Sequence, residues 1–180
     1  MNSLFGSFIH TCIHSFQVVD ISVCRRADGT AHALYACVPS DCTSRTTSFV
    51  ESRTLEGEGT AKTWDFGSEA LRSCASVAGG QIHAVGLERK VRLLRVPGTE
   101  SSSEVWTRRE QPLSLEWDSG GSLLLIGTHR GNMFCADLRD HPESKHAYAI
   151  PLGRGLVSLK LINGGSRLLA SAYDGKLVLV

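Results

Sequence analysis

The sequence predicts an all-β fold of consecutive small antiparallel sheets, and three observations carry that expectation. The segment 113–136 recurs at 157–180 with a constant offset of 44 residues and no gap. Each copy alternates short apolar stretches with Gly-containing turns. No stretch offers the unbroken 3.6-residue apolar stripe of an amphipathic helix, because Gly, Ser and β-branched residues interrupt every candidate.

The first unit reads as strands at 16–24, 31–38 and 46–51, with the turn Arg26-Ala27-Asp28-Gly29 and an outer strand at 60–66. The second reads as strands at 72–77, 81–87 and 90–96, turning at Ala78-Gly79-Gly80, with an outer strand at 104–107. Its hairpin turn is one residue shorter than those downstream. The third places strands at 113–117, 122–128 and 133–136, separated by Asp118-Ser119-Gly120-Gly121 and by Arg130-Gly131-Asn132. Its outer strand is expected at 146–151, where Pro151 is tolerated because an edge strand need not donate every N–H. The fourth, 157–180, repeats the third. Ser114 falls on Ser158, Gly120-Gly121-Ser122 on Gly164-Gly165-Ser166, Leu124-Leu125 on Leu168-Leu169, and Gly131 on Gly175.

In that last unit Asp174-Gly175 reads as a type I′ hairpin dipeptide, both of whose central positions need positive φ. The middle strand of each clear repeat is apolar on both faces, as a strand sandwiched between neighbouring sheets should be. The stretches 51–59 and 97–103, rich in Gly, Ser and Glu, read as exposed loops.

A period of about 40–45 residues carrying three or four short strands is the pattern of β-propeller blades, each burying its faces against its neighbours. The expected organisation is an incomplete propeller of about four blades, at 16–66, 67–107, 113–151 and 156–180, the last one truncated. Four is the lower end of the range of roughly 4–8 blades, so two raw edges would remain. The expectation is a fragment of a longer parent.

A resemblance then attaches to particular residues. The run 122–139, Ser-Leu-Leu-Leu-Ile-Gly-Thr-His-Arg-Gly-Asn-Met-Phe-Cys-Ala-Asp-Leu-Arg, resembles a WD-repeat blade ending in Trp-Asp-x-Arg, with Ala136 in place of the Trp. More narrowly, residues 64–96, the ending Asp137-Leu138-Arg139 and residues 168–180 resemble the cullin-4-associated factor 4 group of WD-repeat proteins. The resemblance implies a seven- or eight-bladed parent ring in a substrate receptor or adaptor of a cullin-4 RING E3 ubiquitin ligase, docking on damaged-DNA-binding protein 1. It implies that Asp137 stiffens the blade's end while Arg139 presents a guanidinium to that partner. Arg suits this role, since its planar fork of donors matches carboxylates and carbonyls. Two readings stay open beside it: Asp137 and Arg139 as a blade-closing turn with a solvent salt link, and a generic WD-repeat scaffold in an unrelated complex. The pattern also departs at Ala136 and in lacking a Gly-His pair, which leaves the usual buried Trp, Ser/Thr, Asp and His network incomplete.

Other classes fare worse. Lys+Arg 19 against Asp+Glu 18 gives a formal net charge of +1, no field for nucleic acid or an anionic membrane. The densest basic cluster, Arg108-Arg109 with Arg92 and Arg95, reads as a solvated face. Residues 1–16 lack a basic n-region, and His10, His14 and serines break their apolar run, so neither a signal peptide nor a membrane span is expected. The six cysteines, Cys12, Cys24, Cys37, Cys42, Cys74 and Cys135, then read as free and buried in a reducing nucleus or cytoplasm. Cys12 with His10 and His14 lacks the paired spacing of a zinc site. Residues 57–62, Gly-Glu-Gly-Thr-Ala-Lys, lack the Gly-Lys-Ser/Thr ending of a phosphate loop and precede a strand. Neither Gly-x-Ser-x-Gly nor a carboxylate pair of the kind that hydrolyses glycosides is present. No enzyme, metal or cofactor is expected, and Trp64-Asp65 reads as an outer-strand packing pair.

Overall fold

The computed structural model describes residues 16–26, 28–40, 47–55, 62–96, 103–107, 110–139, 150–152 and 154–180. Within them the chain forms fifteen strands and one 3₁₀ turn, Asn163–Gly165, and no α-helix. The first sheet contains β1 (Phe16–Arg25), β2 (Ala31–Pro39), β3 (Phe49–Thr54) and β4 (Lys62–Asp65). The second contains β5 (Ser73–Ser76), β6 (Ile82–Gly86), β7 (Lys90–Arg95) and β8 (Ser103–Thr107). The third contains β9 (Pro112–Trp117), β10 (Leu123–Thr128), β11 (Asn132–Asp137) and β12 (Ile150–Pro151). The fourth has three strands, β13 (Leu156–Ile162), β14 (Arg167–Ala172) and β15 (Leu177–Leu179). Every sheet is an antiparallel meander in chain order.

The sheets stack face to face about a common groove. The first strand of each is innermost: β1 lies against β5, β5 against β9, and β9 against β13. Alternation along each strand supplies two apolar faces, one for each neighbour. Leu34, Val50, Val85 and Leu94 fill the first junction, and Trp117, Leu124, Ile126 and Val91 the second. The third holds Leu125, Met133, Leu159 and Leu168. Burying each such side chain contributes about 1.5–3 kcal/mol, so stability is distributed among three junctions instead of one central core.

An innermost strand has a sheet partner on one side only, and side chains from the neighbouring sheet satisfy part of the other edge. Asp20 accepts from the Cys74 N–H at 2.8 Å and Ser22 from the Ser76 N–H at 2.9 Å. At the next junctions Trp117 Nε1–H donates to Ala75 O at 3.3 Å, Ser114 Oγ–H to Leu156 O at 3.1 Å, and Glu116 accepts from Leu161 N–H at 3.2 Å. Sparing these groups from desolvation without a partner is the reason polar side chains occur in otherwise apolar junctions.

Four sequence expectations are corrected. The third strand of the first sheet runs Phe49–Thr54, later than 46–51, because Cys37 pairs with Phe49 and Ala36 with Val50. The opening of the expected loop 51–59 is therefore strand. Glu51, only 8% exposed, is accommodated there because Arg53 pairs with it at 2.8 Å. The Asp174-Gly175 turn is not type I′: Gly175 has φ 79°, but Asp174 is not in the positive-φ region. Gly175 N–H donates to Ala172 O and Ala172 N–H to Lys176 O, so the hairpin is a three-residue loop with Gly175 left-handed. Finally, β14 is not buried on both faces, since its residues alternate between buried and accessible.

Candidate interaction surface

One rim of the array carries the turns that join first and second strands. At this rim Gly79 N–H donates to Arg25 O of the preceding sheet at 3.1 Å. In the third sheet Asp118 closes the turn, its carboxylate accepting from the N–H groups of Ser122 at 2.8 Å and Leu123 at 2.7 Å. Leu123 lies opposite Asp137, and Leu138 N–H donates to Ser122 O at 2.9 Å. The predicted site residues are thereby brought onto this rim. Asp137 ends β11, and Arg139 folds back on it: Arg139 Nε–H lies 2.9 Å from Asp137 Oδ1, the Arg139 backbone N–H 3.0 Å from the same oxygen, and Nη2 closes on Oδ2. The Arg139 side chain stays 65% exposed. The pair holds a guanidinium at a defined position in solvent.

Sequence reasoning left the small Ala136 unexplained. Leu124 lies opposite both Trp117 and Ala136, so the three form one cross-strand row facing the second sheet. The aromatic of this row comes from β9 in place of β11, which contributes the small Ala136. This compensation was legible only once the register was known.

On the opposite rim the expected polar network is replaced by another. Glu110 accepts from Thr128 Oγ1–H at 2.6 Å and from Asn132 Nδ2–H at 3.0 Å, tying the entrance of β9 to the β10–β11 hairpin. In the second sheet Glu69 precedes β5 in the same way and binds Lys90 at 3.0 Å and Arg92 at 3.1 Å. Glu69 and Glu110 stand 41 residues apart, as do Ser73 and Ser114, and Gly86 and Gly127. That spacing was the available signal for these clamps.

Between the rims, the four inner strands line a groove of about 600 Å³ with mixed polarity, including Asp20, Ser76, Glu116 and Lys160. Burial pushes the Asp20 carboxyl above its usual range. Burial likewise raises the thiols of Cys24, Cys74 and Cys135, disfavouring the nucleophilic thiolate. His83 is 1% exposed, with Nδ1 2.9 Å from Ser76 Oγ and its ring edge-on to Trp64 at 5.6 Å. Burial first, then the positive charges of Arg26, His32 and Lys62, lowers its pKa to about 4. Trp64 sits on the outermost strand and packs against the first junction. Cys12, Cys42, His10, His14, Arg108 and Arg109 lie outside the described residues. Among the described residues no three His, Cys, Asp or Glu side chains converge on one point, and no helix is long and apolar enough to cross a membrane.

Four radially stacked antiparallel sheets around a groove define a β-propeller fold, here as a partial ring. The β-propeller domain of Myceliophteria thermophila Cps50 (Swd1) is similar to this chain, with a TM-score of 0.71 at 17% sequence identity over 91% of this chain and 51% of that one. The chain thus spans about half the length of that solved domain. Significant matches extend to 781 chains of solved structures, so the likeness identifies the architecture without singling out a partner. No family model matches the chain, and no curated protein does.

Proposed function

We propose that the chain is a WD-repeat protein-interaction scaffold that serves as a substrate receptor or adaptor of a cullin-4 RING E3 ubiquitin ligase, with damaged-DNA-binding protein 1 as its docking partner. The observation that carries this reading is the placement of Arg139: a fork of donors on a rim, 65% exposed, and held by Asp137 two residues before it. An exposed ion pair of this kind contributes only about 0–1 kcal/mol, so Asp137 can orient the guanidinium and still yield it to a partner's carboxylate or carbonyl at little cost. The propeller fold supplies a rigid frame for rim loops and is a common vehicle for binding without catalysis. Such a scaffold would work in the nucleus or cytoplasm, with no cofactor and no direct contact to nucleic acid or membrane.

The test is co-purification with damaged-DNA-binding protein 1 from cells expressing the tagged chain. Recovery of that partner by the unmodified chain, lost in Arg139→Ala and reduced in Asp137→Ala, supports the proposal; equal recovery by all three removes it. A second reading, a generic scaffold in another complex, draws on the same pair. Arg139 is already neutralised by Asp137, as a simple blade-closing turn requires. Under that reading other proteins co-purify, no ligase components appear, and both substitutions are silent.

A further inference from the structure

The turn at 162–166 joins β13 to β14 on the rim that also carries Arg139, and it contains the dipeptide Asn163-Gly164. Of the three asparagines in the chain, Asn2, Asn132 and Asn163, this one alone precedes a glycine. The backbone nitrogen that follows an asparagine is positioned to attack the side-chain carbonyl one residue back, and a glycine, having no Cβ, leaves that approach open.

The fold adds two conditions that the dipeptide alone does not supply. Asn163 and Gly164 are both exposed, and a Cβ built on Gly164 would meet no atom within 4 Å. Neither the Asn163 carboxamide nor the Gly164 N–H has a hydrogen-bond partner among the described residues.

The equivalent turn of the third sheet lacks this freedom. There, 44 residues earlier, Gly120 N–H donates to Asp118 Oδ2 at 3.3 Å, and the same carboxylate holds the N–H groups of Ser122 and Leu123. In the fourth sheet Ile162 takes the place of Asp118 and accepts nothing, which releases the Gly164 amide. Asn163 takes the place of Ser119 and sets a carboxamide beside that amide. The exposure does not come from this sheet being the last. Ser119 and Gly120 are exposed although a further sheet packs against theirs. Asn132 provides the contrast within the same molecule: Glu110 holds its amide at 3.0 Å, and the next residue, Met133, is buried.

We propose that Asn163 is a site of spontaneous deamidation. The Gly164 nitrogen gives up its proton to solvent and attacks Asn163 Cγ. The new N–C bond closes a succinimide ring, and the side-chain nitrogen leaves as ammonia. Water then adds to either ring carbonyl and breaks its bond to nitrogen, yielding aspartate or isoaspartate. Both products place a new carboxylate on the rim and lower the formal net charge of +1 by one. Isoaspartate also inserts a methylene into the backbone between β13 and β14.

The test is incubation of the 180-residue chain in mildly alkaline buffer at body temperature, followed by tryptic digestion and mass spectrometry. Cleavage after Lys160 and Arg167 releases the peptide 161–167, and cleavage after Arg130 and Arg139 releases 131–139 with Asn132 as the internal control. Peptide 161–167 is expected to gain about one dalton progressively, as ammonia is exchanged for water, and to split into two chromatographic products. Peptide 131–139 should stay unchanged. Gly164→Ala should slow the conversion about tenfold, because its Cβ obstructs the attack. Ile162→Asp restores the acceptor that Asp118 gives Gly120 and should slow it severalfold, a difference that disappears in urea. A peptide 161–167 of constant mass, equal conversion of Asn132, or undiminished conversion in either variant overturns the proposal.

Discussion

Acidification from neutral pH toward pH 4 is expected to unfold the second sheet preferentially, and His83 sets the magnitude. The imidazole is 1% exposed, packed edge-on against Trp64 and bonded through Nδ1 to Ser76, and its pKa is lowered from 6.5 to about 4. A depressed pKa in a base means that the folded state holds the neutral ring, while the unfolded chain takes up a proton near pH 6.5. The contribution of His83 to stability is thus complete above pH 6.5 and is lost as the pH falls toward 4. At 1.36 kcal/mol per pH unit, the full loss is on the order of 3 kcal/mol, a sizeable share of a small domain's stability. Urea unfolding of the native chain and of His83→Gln at a series of pH values isolates this contribution, since all other titrating groups are common to both. The native chain should lose about 3 kcal/mol more than the variant between neutral pH and pH 4. The His83 imidazole proton resonances, assigned by their absence in His83→Gln, should titrate well below pH 6. Parallel pH profiles, or His83 itself titrating near 6.5 in the folded chain, would refute the reasoning.

Three further outcomes follow from packing and hydrogen bonding. Gly127→Ala adds a Cβ that overlaps Ser114 Oγ and stands 2.9 Å from Leu156 Cβ, so thermal unfolding should show a loss of about 1–3 kcal/mol concentrated in the third junction. Glu110→Ala removes the nearer acceptor of the buried Thr128 hydroxyl, which keeps only Asn132 O at 3.2 Å, together with the acceptor of the Asn132 side-chain amide, and should cost about 0.5–1.5 kcal/mol in urea, with hydrogen exchange accelerating at the β10–β11 hairpin. Asp118→Ala removes the acceptor of the Ser122 and Leu123 N–H groups and should lower stability by about 1–2 kcal/mol while leaving the Asp137–Arg139 pair in place, readable by thermal denaturation and by unchanged partner recovery.

How far the sequence could be read differs between fold and site. The 44-residue repeat was visible because equivalent junctions impose equivalent apolar positions, and Leu124 in the second junction and Leu168 in the third are alike for that reason. Strands β9 to β11 and β13 to β15 consequently fall where the periodicity placed them. The first sheet was harder. The third strand was placed at 46–51 and the polar composition after it suggested loop, yet Glu51 is buried within a strand running to Thr54 because Arg53 neutralises it, a compensation that composition does not encode. The turn at Asp174-Gly175 was misjudged because the dipeptide tolerates several hairpin types and loop length decides among them.

The contact between Asp137 and Arg139 was legible, since their two-residue spacing brings carboxylate and guanidinium within reach on a chain leaving a strand. The clamps of Glu69 and Glu110 were not read, since each joins segments about twenty residues apart that only pairing of the strands brings together.

What the sequence determined by itself was periodicity: repeated alternation of apolar residues and Gly turns specifies small antiparallel sheets, because strand period and turn chemistry are local. What only the tertiary structure decided was which side chains meet across sheets. The Trp117, Leu124 and Ala136 row and the buried neutral His83 depend on register and on radial stacking. Burial and electrostatic environment are properties of neighbours in space, and no local pattern fixes those neighbours.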